Sequence, residues 1–332
     1  MAGFPSITDD RSVWTARDFG APRSWVRPLN SEMINEIAAA ADAVIAKGTP
    51  FYEITPKSFL LPKTGEVLRA TYADLEDGCG FSVLAGWPVD EFDAQRNLAA
   101  FAGVSSHLGC VVVQNYEGDR VVDVTDKGMP YSHKSRGYSS NKLLPFHSDG
   151  ADLAGLLCLE VSATGGTSVI VSATALYNIV AKERPDLMTT LLRGFYHHRR
   201  GQHDPGEPPL SPERIPVFAF REGHLHCCYN RNPIDWVEKE GMRLDDGEVA
   251  ALDFVDEVVA RPDMQLTMDL HKGDMQFVNN FVILHSRTEY FDNESHRRHL
   301  LRLWLENPES KRDGMSLLQL YVPGAGRYQA VQ

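Results

Sequence analysis

The chain has 332 residues, enough for one large domain or two ordinary ones with a hydrophobic core that no disulfide or metal has to hold together. Apolar residues make up 43% and charged residues 23% of the sequence, which is typical of a globular protein and excludes disordered, collagen-like and coiled-coil chains. The formal charge of -12 repels phosphate backbones and anionic lipids, so we expect neither nucleic acid nor a membrane as a partner.

The sequence also bears on the compartment. Its apolar runs are too short to cross a bilayer, and the first residues lack the basic and hydrophobic regions of a secretion signal. The five cysteines form no Cys-x-x-Cys pair, which argues against a disulfide framework or a thiolate zinc site. We expect a cytoplasmic protein with reduced cysteines. The number of subunits is left open, and a homo-oligomer is compatible with the sequence.

The first part of the chain is predicted to be largely helical. Apolar residues recur at helical spacing over residues 31–47. A short apolar strand over residues 80–86 precedes a second helix over residues 91–108, with a proline in the turn between them. This order of helix, strand and helix indicates that the first part of the chain has an α+β structure.

From residue 109 the sequence changes to short strands separated by clusters of Gly, Asp and Ser. Helices are predicted over residues 173–194, with a break near Pro185, and over residues 246–260. A hairpin is predicted over residues 216–229. The other predicted strands cover residues 110–114, 121–124, 153–161, 168–172, 274–279, 282–285 and 298–305. This pattern favours one antiparallel double-sheet domain with helices packed outside.

The sharpest local motif is the sequence LPFHSDG, in which His147 and Asp149 are two positions apart. Side chains alternate along a strand, so both are expected to point to the same side. One imidazole and one carboxylate are two thirds of the facial triad that binds non-heme iron(II), if a second histidine joins them. Chance supplies about one such pair in a chain of this composition, and a plain histidine–carboxylate hydrogen bond is the simpler interpretation.

A candidate third ligand, His285, ends the apolar run over residues 277–285. Alone, such a histidine is more typical of a hydrogen-bonded core residue. The next strand carries Arg298 and Arg302 on one face, and buried guanidinium groups need anionic partners. An organic diacid that chelates the iron would present a carboxylate to such an arginine. The alternative is an edge strand whose arginines pair with surface carboxylates.

These motifs belong to a longer series in a specific order. The series comprises FHSD at 146–149, TGGTS at 164–168, GDM at 273–275, NN at 279–280, His285, Arg297–Arg298 and Arg302. It resembles the Fe(II)/2-oxoglutarate dioxygenases of the taurine dioxygenase-like (TauD/TfdA) family. The resemblance extends over about residues 79–306, and the preceding residues match no motif of that family.

The resemblance implies an α+β, mainly β fold with a double-stranded β-helix (jelly-roll) core and flanking and inserted helices. It also implies a single domain over residues 1–332. In that domain an N-terminal helical and loop part (1–78) packs on the family-like region (79–306), which a C-terminal tail (307–332) follows.

The resemblance further implies roles for individual residues. The implied iron ligands and catalytic residues are His147, Asp149 and His285. Arg298 would bind the distal carboxylate of 2-oxoglutarate, with Ser168 where the family has a threonine. Arg302 would face the cosubstrate or the substrate. Arg297 is the alternative to Arg298, because the spacing from His285 is slightly longer than in the best-known members.

The implied activity uses Fe(II), 2-oxoglutarate and O2 to oxidise an unactivated C–H bond of a small polar or amino-acid-like molecule, with release of succinate and CO2. Hydroxylation is the default outcome, while desaturation and ring closure stay open. Substrate contacts nominated from loops and strand ends are Asn115, Arg136, Tyr138, Asn141, Tyr229, Arg231 and Arg302. The basic cluster over residues 197–203 could line a site for an anionic substrate, although such runs more often form solvated loops.

Two other functions remain alternatives. A cupin-like metal enzyme would use the same three ligands for hydrolysis or isomerisation without 2-oxoglutarate, and it would not need Arg298 or Ser168. A noncatalytic binding protein on the same fold would bind a metal but form no succinate.

Overall fold

The computed structural model describes residues 4–129, 132–133 and 137–312. Its α-helices are α1 (Ser31–Ala46), α2 (Gly65–Glu76), α3 (Ala94–Ser106), α4 (Ala173–Glu183), α5 (Pro185–Arg193), α6 (Arg231–Asp235) and α7 (Asp246–Val259). Short 3-10 helices cover Ala16–Asp18, Phe51–Glu53, Val89–Glu91, Gly137–Ser139 and Trp236–Glu240. The strands are β1 (Val26–Pro28), β2 (Phe81–Ala85), β3 (Cys110–Val112), β4 (Val121–Val124), β5 (Leu144–His147), β6 (Leu153–Glu160), β7 (Thr164–Gly165), β8 (Ser168–Ser172), β9 (Phe218–Arg221), β10 (His224–Cys227), β11 (Leu266–Met268), β12 (Met275–Asn279), β13 (Ile283–Arg287), β14 (Tyr290–Phe291) and β15 (His299–Glu306).

The strands form two main sheets. Among the described residues, seven strands make a large sheet in the order β1-β2-β12-β6-β15-β3, in which β4 also pairs with β15. Its β1–β2 pair is parallel, and the remaining pairs are antiparallel. A smaller antiparallel sheet has the order β11-β8-β13-β5. The α+β class expected from the sequence is therefore confirmed.

Side chains alternate along β15, so one face of this strand lies in the hydrophobic core and the other lines the space between the two sheets. Leu301, Leu303 and Leu305 pack against helices α1 to α3, which cover the outer face of the large sheet. Burial of each such leucine contributes about 1.5–3 kcal/mol to stability. Arg302 and Trp304 point to the opposite face, toward the smaller sheet. A single strand therefore stabilises the outer layer and supplies polar groups to the interior.

The space between the two sheets is apolar at one end. Ile170 and Ile283 of the smaller sheet meet Val278 of the large sheet there. The outer face of the smaller sheet carries Val171 and Leu284, which pack against helices α4, α5 and α7. Helices thus cover both sheets from outside, and the opposite end of the space between the sheets is left for polar side chains.

Most predicted elements are confirmed to within a few residues, including the break before Pro185 and the β9–β10 hairpin. Helix α2 was not predicted. Its buried positions include Thr71 and Glu76, so the apolar period in its sequence is weak. Within the described residues, Cys79, Cys158, Cys227 and Cys228 form no disulfide bond. Within the described ranges, none of the helices has the length and apolar character that a membrane span requires.

Candidate active site

The two candidate histidines meet across a pair of neighbouring strands. His147 ends β5, and His285 lies opposite it on the antiparallel strand β13. Their ring centroids are 4.3 Å apart. Asp149 completes the group: its Oδ1 is 3.9 Å from His147 Nε2, and its Oδ2 is 3.7 Å from His285 Nε2. All three candidate ligand atoms lie within 4.8 Å of one another, so this group could hold a metal ion.

The position of Asp149 has a different cause from the one predicted. Strand β5 ends at His147, so alternation along a strand does not place the carboxylate. Hydrogen bonds do so instead: the Asp149 backbone N–H donates to Asn280 Oδ1 (3.1 Å), and Trp304 Nε1 donates to Asp149 Oδ2 (2.9 Å). Arg302 Nη1 lies 3.3 Å from the same oxygen. Asp149 is therefore fixed by two side chains of the distant strand β15 and by a loop residue that follows β12.

The electrostatics of the group suit metal binding. The His147 Nδ1–H donates to Pro145 O at 2.8 Å, a tautomer that leaves the Nε2 lone pair facing Asp149. Burial lowers the pKa of His147, and it lowers the pKa of His285 to about 3, so both rings are neutral near pH 7. Burial alone would raise the pKa of Asp149, but the nearby Arg302 charge helps to hold it well below its usual range. Two neutral imidazoles and one carboxylate are the donor set of a facial iron(II) site.

A cavity of about 670 Å³ extends from this group between the two sheets. Its far end is lined by Ser168, Arg287 and Arg298. Arg298 is only 6% exposed, and its Nη1 has no hydrogen-bond partner among the described residues. Its neighbour Arg297 is exposed to solvent. Arg298 is therefore the arginine of this pair that reaches the cavity.

Arg287 is a second buried guanidinium at the same end. It lies two residues after His285 on β13, and its cross-strand partner is Ser168. Burial lowers the pKa of Arg287 to about 10, and the Arg298 charge contributes to the shift. A low pKa for an arginine means that the site disfavours its positive charge until an anion is present.

Arg302 lines the first cavity and also a second polar cavity of about 410 Å³. Its Nε donates to Gln114 Oε1 at 2.8 Å, and its guanidinium lies 5.1 Å from the centre of the Tyr138 ring. Tyr138, Arg200 and Asn230 line the second cavity together with His147 and Asp149. This cavity therefore also reaches two of the three candidate metal ligands.

Two of the residues nominated as substrate contacts, Tyr229 and Arg231, bind acidic side chains outside the two cavities. Tyr229 is fully buried in the core beside helix α7, where its hydroxyl donates to Asp256 Oδ1 at 2.6 Å. Arg231 pairs with Asp256 at 2.8 Å and with Asp235 at 2.8 Å. Both residues were nominated because they lie near strand ends that could open on a pocket. In the structure they bind acidic side chains of α6 and α7 instead, and neither lines the two cavities.

The structure places the remaining residues nominated as substrate contacts in different surroundings. Asn115 closes a turn with Asp119, whose side chain accepts a 2.8 Å hydrogen bond from the Asn115 amide. The Asn141 amide donates to Tyr290 O at 3.1 Å. These contacts give both asparagines local structural partners outside the residues that line the two cavities. Arg136 lies outside the described residues. Tyr138 and Arg302 do line both cavities.

Several site residues were not predicted. Arg287 and Trp304 follow His285 and Arg302 by two positions on their strands, so alternation was the signal that could have found them. Asn230 comes from a loop, and periodicity does not predict the path of a loop. Arg200 belongs to the basic cluster over residues 197–203, for which a place in a substrate site was one of two interpretations, and it lines the second cavity. The solvated-loop interpretation of residues 197–203 is wrong for His197, His198 and Arg199, which are buried.

The sequence matches the model of a protein family described as "Taurine catabolism dioxygenase TauD, TfdA family" over residues 46–304. The match begins well before residue 79, where the resemblance found in the sequence begins. Two similar curated proteins are the FR-33289 synthase of Streptomyces rubellomurinus and the taurine hydroxylase-like protein SAT17 of Stachybotrys chartarum. The first is 36% identical over 303 residues (89% of each chain), and the second is 28% identical over 311 residues (89% of this chain and 78% of the relative).

Solved structures with the same fold include an asparagine oxygenase in complex with Fe(II), 2S,3S-3-hydroxyasparagine and succinate. It has a TM-score of 0.67 at 18% identity and covers 85% of this chain and 93% of its own. The non-heme iron oxygenase OrfP with Fe and alpha-ketoglutaric acid has a TM-score of 0.61 at 16% identity, with the same coverage. Given the family match and the 36% identical relative, this chain belongs to the TauD/TfdA family of Fe(II)/2-oxoglutarate-dependent dioxygenases.

Proposed function

We propose that the protein oxidises an unactivated C–H bond of a small, polar, amino-acid-like molecule, with hydroxylation as the main outcome. The observation that carries the proposal is the single cavity that joins the His147, Asp149 and His285 group to the buried Arg298. A dicarboxylic 2-oxo acid has a chelating end and a distal carboxylate, which match the two ends of this cavity.

The three side chains His147, Asp149 and His285 would hold the iron. When bound, Fe(II) would activate O2, which is the oxidant: one oxygen atom would enter succinate as 2-oxoglutarate loses CO2, and the other would serve to oxidise the substrate C–H bond. Pro145 keeps His147 in the tautomer that can bind a metal, and Trp304 and Arg302 keep Asp149 ionised and oriented.

Arg298 and Ser168 would anchor the distal carboxylate of 2-oxoglutarate. The guanidinium of Arg298 is buried, and its Nη1 lacks a partner in the described part of the chain. Such a group is costly unless an anion pairs with it. A hydrolase or isomerase that used the three metal ligands alone would have no use for this end of the cavity.

The second cavity is the proposed substrate compartment, lined by Tyr138, Arg200, Asn230 and Arg302. Its polar lining suits a small molecule with charged or hydrogen-bonding groups. The asparagine oxygenase and OrfP, which share the fold, were solved with hydroxyasparagine and with hydroxyarginine. An amino-acid-like substrate is in keeping with those relatives and with this lining.

We further propose that the two main sheets form a double-stranded β-helix (jelly roll), because the chain repeatedly crosses between them. Strands β5 and β8 belong to the smaller sheet and β6 to the large one, and β12, β13 and β15 alternate in the same way. A single domain over residues 1–332, a cytoplasmic location and homo-oligomer formation remain predictions.

Succinate formation tests the proposed function. The Fe(II)-loaded protein is supplied with 2-oxoglutarate, O2 and a panel of amino acids and related acids, and succinate and products are measured by mass spectrometry. We expect one or more candidates to yield succinate together with a product that has gained one oxygen atom. A product that has lost two hydrogens instead would indicate desaturation or ring closure. Turnover without 2-oxoglutarate would support the cupin-like alternative, and metal binding without succinate would support a noncatalytic protein.

A further inference from the structure

The far end of the main cavity contains two guanidinium groups rather than one. Arg287 and Arg298 are each only 6% exposed, and both line the cavity. The Tyr290 ring lies against both, with its centre 4.6 Å from the Arg287 guanidinium carbon and 5.1 Å from that of Arg298. Two like charges are therefore buried around one aromatic ring, an arrangement that is unfavourable without a compensating anion.

The partners of Arg287 do not neutralise its charge. Its Nη1 donates to Ser140 O at 3.0 Å, and its Nη2 donates to Lys142 O. Both acceptors are neutral carbonyl groups. Its Nε is buried and has no hydrogen-bond partner in the described residues, and the same holds for Arg298 Nη1. At least one N–H donor on each arginine is thus still available to a ligand.

The register of the smaller sheet adds a third polar group. Ser168 on β8 is the direct cross-strand partner of Arg287 on β13, and Ser168 and Arg298 line the same end of the cavity. A carboxylate has two oxygens with about four acceptor sites, so it can accept hydrogen bonds from two guanidinium groups and a hydroxyl at once.

We propose that Arg287 is a second binding residue for the distal carboxylate of 2-oxoglutarate, which lies between the guanidinium groups of Arg287 and Arg298. This inference rests on the proposed function, since it assigns a further residue to the same cosubstrate. Arg287 then has two roles, because its Nη atoms fix the backbone of residues 140–142 while its remaining donor and its charge serve the ligand. The pair of arginines selects 2-oxo acids that carry a second carboxylate.

The test compares two ligands that differ only at the distal end. Binding of 2-oxoglutarate and of 2-oxovalerate, a five-carbon 2-oxo acid without the second carboxylate, is measured by calorimetry on the protein loaded with Zn(II), which is redox-inert. We expect Arg287→Gln to weaken 2-oxoglutarate binding about 10-fold to 100-fold, the loss typical of a charged hydrogen bond. Binding of 2-oxovalerate should stay nearly unchanged. Arg297→Gln, at an exposed arginine next to the pocket, is the matched control and should leave both affinities as in the wild type.

The outcomes separate a ligand contact from a purely structural role. If Arg287 only fixes the backbone of residues 140–142, its substitution will weaken both ligands equally, and the proposal is overturned. If Arg287→Gln does not fold, Arg287→Lys is the second variant, because lysine keeps the charge but not the fork of donors. It should still lower the preference for 2-oxoglutarate over 2-oxovalerate. A preference equal to that of the wild type would also overturn the proposal. A wild-type protein with no preference for 2-oxoglutarate would instead contradict the proposed function itself.

Discussion

Trp304 donates its indole N–H to Asp149 Oδ2 at 2.9 Å, although the two residues are 155 positions apart. The bond links the large sheet to the loop that follows β5, and it uses the oxygen that faces His285 Nε2. A charge-assisted bond of this kind orients a carboxylate and favours its ionised form. Trp304 is therefore a positioning residue for the candidate metal site.

Replacing this tryptophan should weaken metal binding without removing a ligand. In Trp304→Phe the carboxylate loses its indole partner, and we expect Fe(II) affinity to fall about 10-fold to 100-fold, as is typical for partners of metal ligands. Anaerobic titration of the purified variant with Fe(II) measures the change. Trp87→Phe is the control, because it loses a similar buried bond, to Asn97 at 2.7 Å, far from the site. Equal Fe(II) affinity in Trp304→Phe and wild type would refute the positioning role.

Removal of a proposed ligand has a larger expected effect. His147→Ala should abolish iron retention and succinate formation while the fold is kept, because the side chain ends a strand that backbone pairing with β13 still holds. Metal content by mass spectrometry and secondary structure by circular dichroism measure the two properties. The exposed His296 gives a matched control in His296→Ala, which should keep its iron. Normal iron content in His147→Ala would show that the ligand assignment is wrong.

The cosubstrate anchor can be tested separately. Arg298→Ala removes a buried guanidinium, and the loss of a charged hydrogen bond costs about 1.5–3 kcal/mol, so we expect the KM for 2-oxoglutarate to rise about 10-fold to 150-fold. Fe(II) affinity should stay close to that of the wild type, because Arg298 lies at the far end of the cavity. Arg297→Ala, its exposed neighbour, is the control. An unchanged requirement for 2-oxoglutarate would remove Arg298 from the proposed site.

The sequence predicts those parts of the site that depend on local periodicity. Alternation and apolar runs predicted that His147 and His285 lie on strands, and the structure pairs those strands directly. His147 does end its strand, whereas His285 was expected at a strand end and is the central residue of β13. Alternation also contained the signal for Arg287. It could not account for Asp149, whose position depends on Trp304 and on Asn280, both distant along the chain.

The incorrect predictions of substrate contacts also result from contacts between residues that are distant in sequence. Tyr229 and Tyr138 look alike as tyrosines near strand ends and loops, but Asp256 of α7 binds the hydroxyl of Tyr229 and keeps it in the core. Which polar partner a side chain finds depends on how the inserted helices pack on the smaller sheet, and no local pattern contains that information. Helix α2 was missed for a related reason, because Thr71 and Glu76 occupy buried positions that the period expects to be apolar.

The buried cysteines give a prediction about reactivity and pH. Burial raises the pKa of Cys158 and of Cys228 to about 12, so at pH 8 both thiols stay protonated, whereas roughly a quarter of an exposed cysteine is ionised. Alkylation of the native protein by iodoacetamide should therefore be slow at both positions at pH 8, because the thiols are both protonated and buried. Mass spectrometry of peptides after timed labelling measures the rates, and labelling in urea gives the unfolded reference.

The same pKa shifts affect stability with a definite sign. Thiols of the unfolded chain ionise from about pH 8.5, while those of the folded protein keep their protons, so the folded state binds more protons in this range. The free energy of unfolding should therefore be unaffected by these groups below about pH 8.5 and should fall as the pH rises from there toward 12. Replacement of Cys158 by Ala should reduce that fall, as measured by urea unfolding at pH 8 and pH 10. Rapid labelling of native Cys228 at pH 8 would contradict its burial beside Asp149, with which it lines a small cavity.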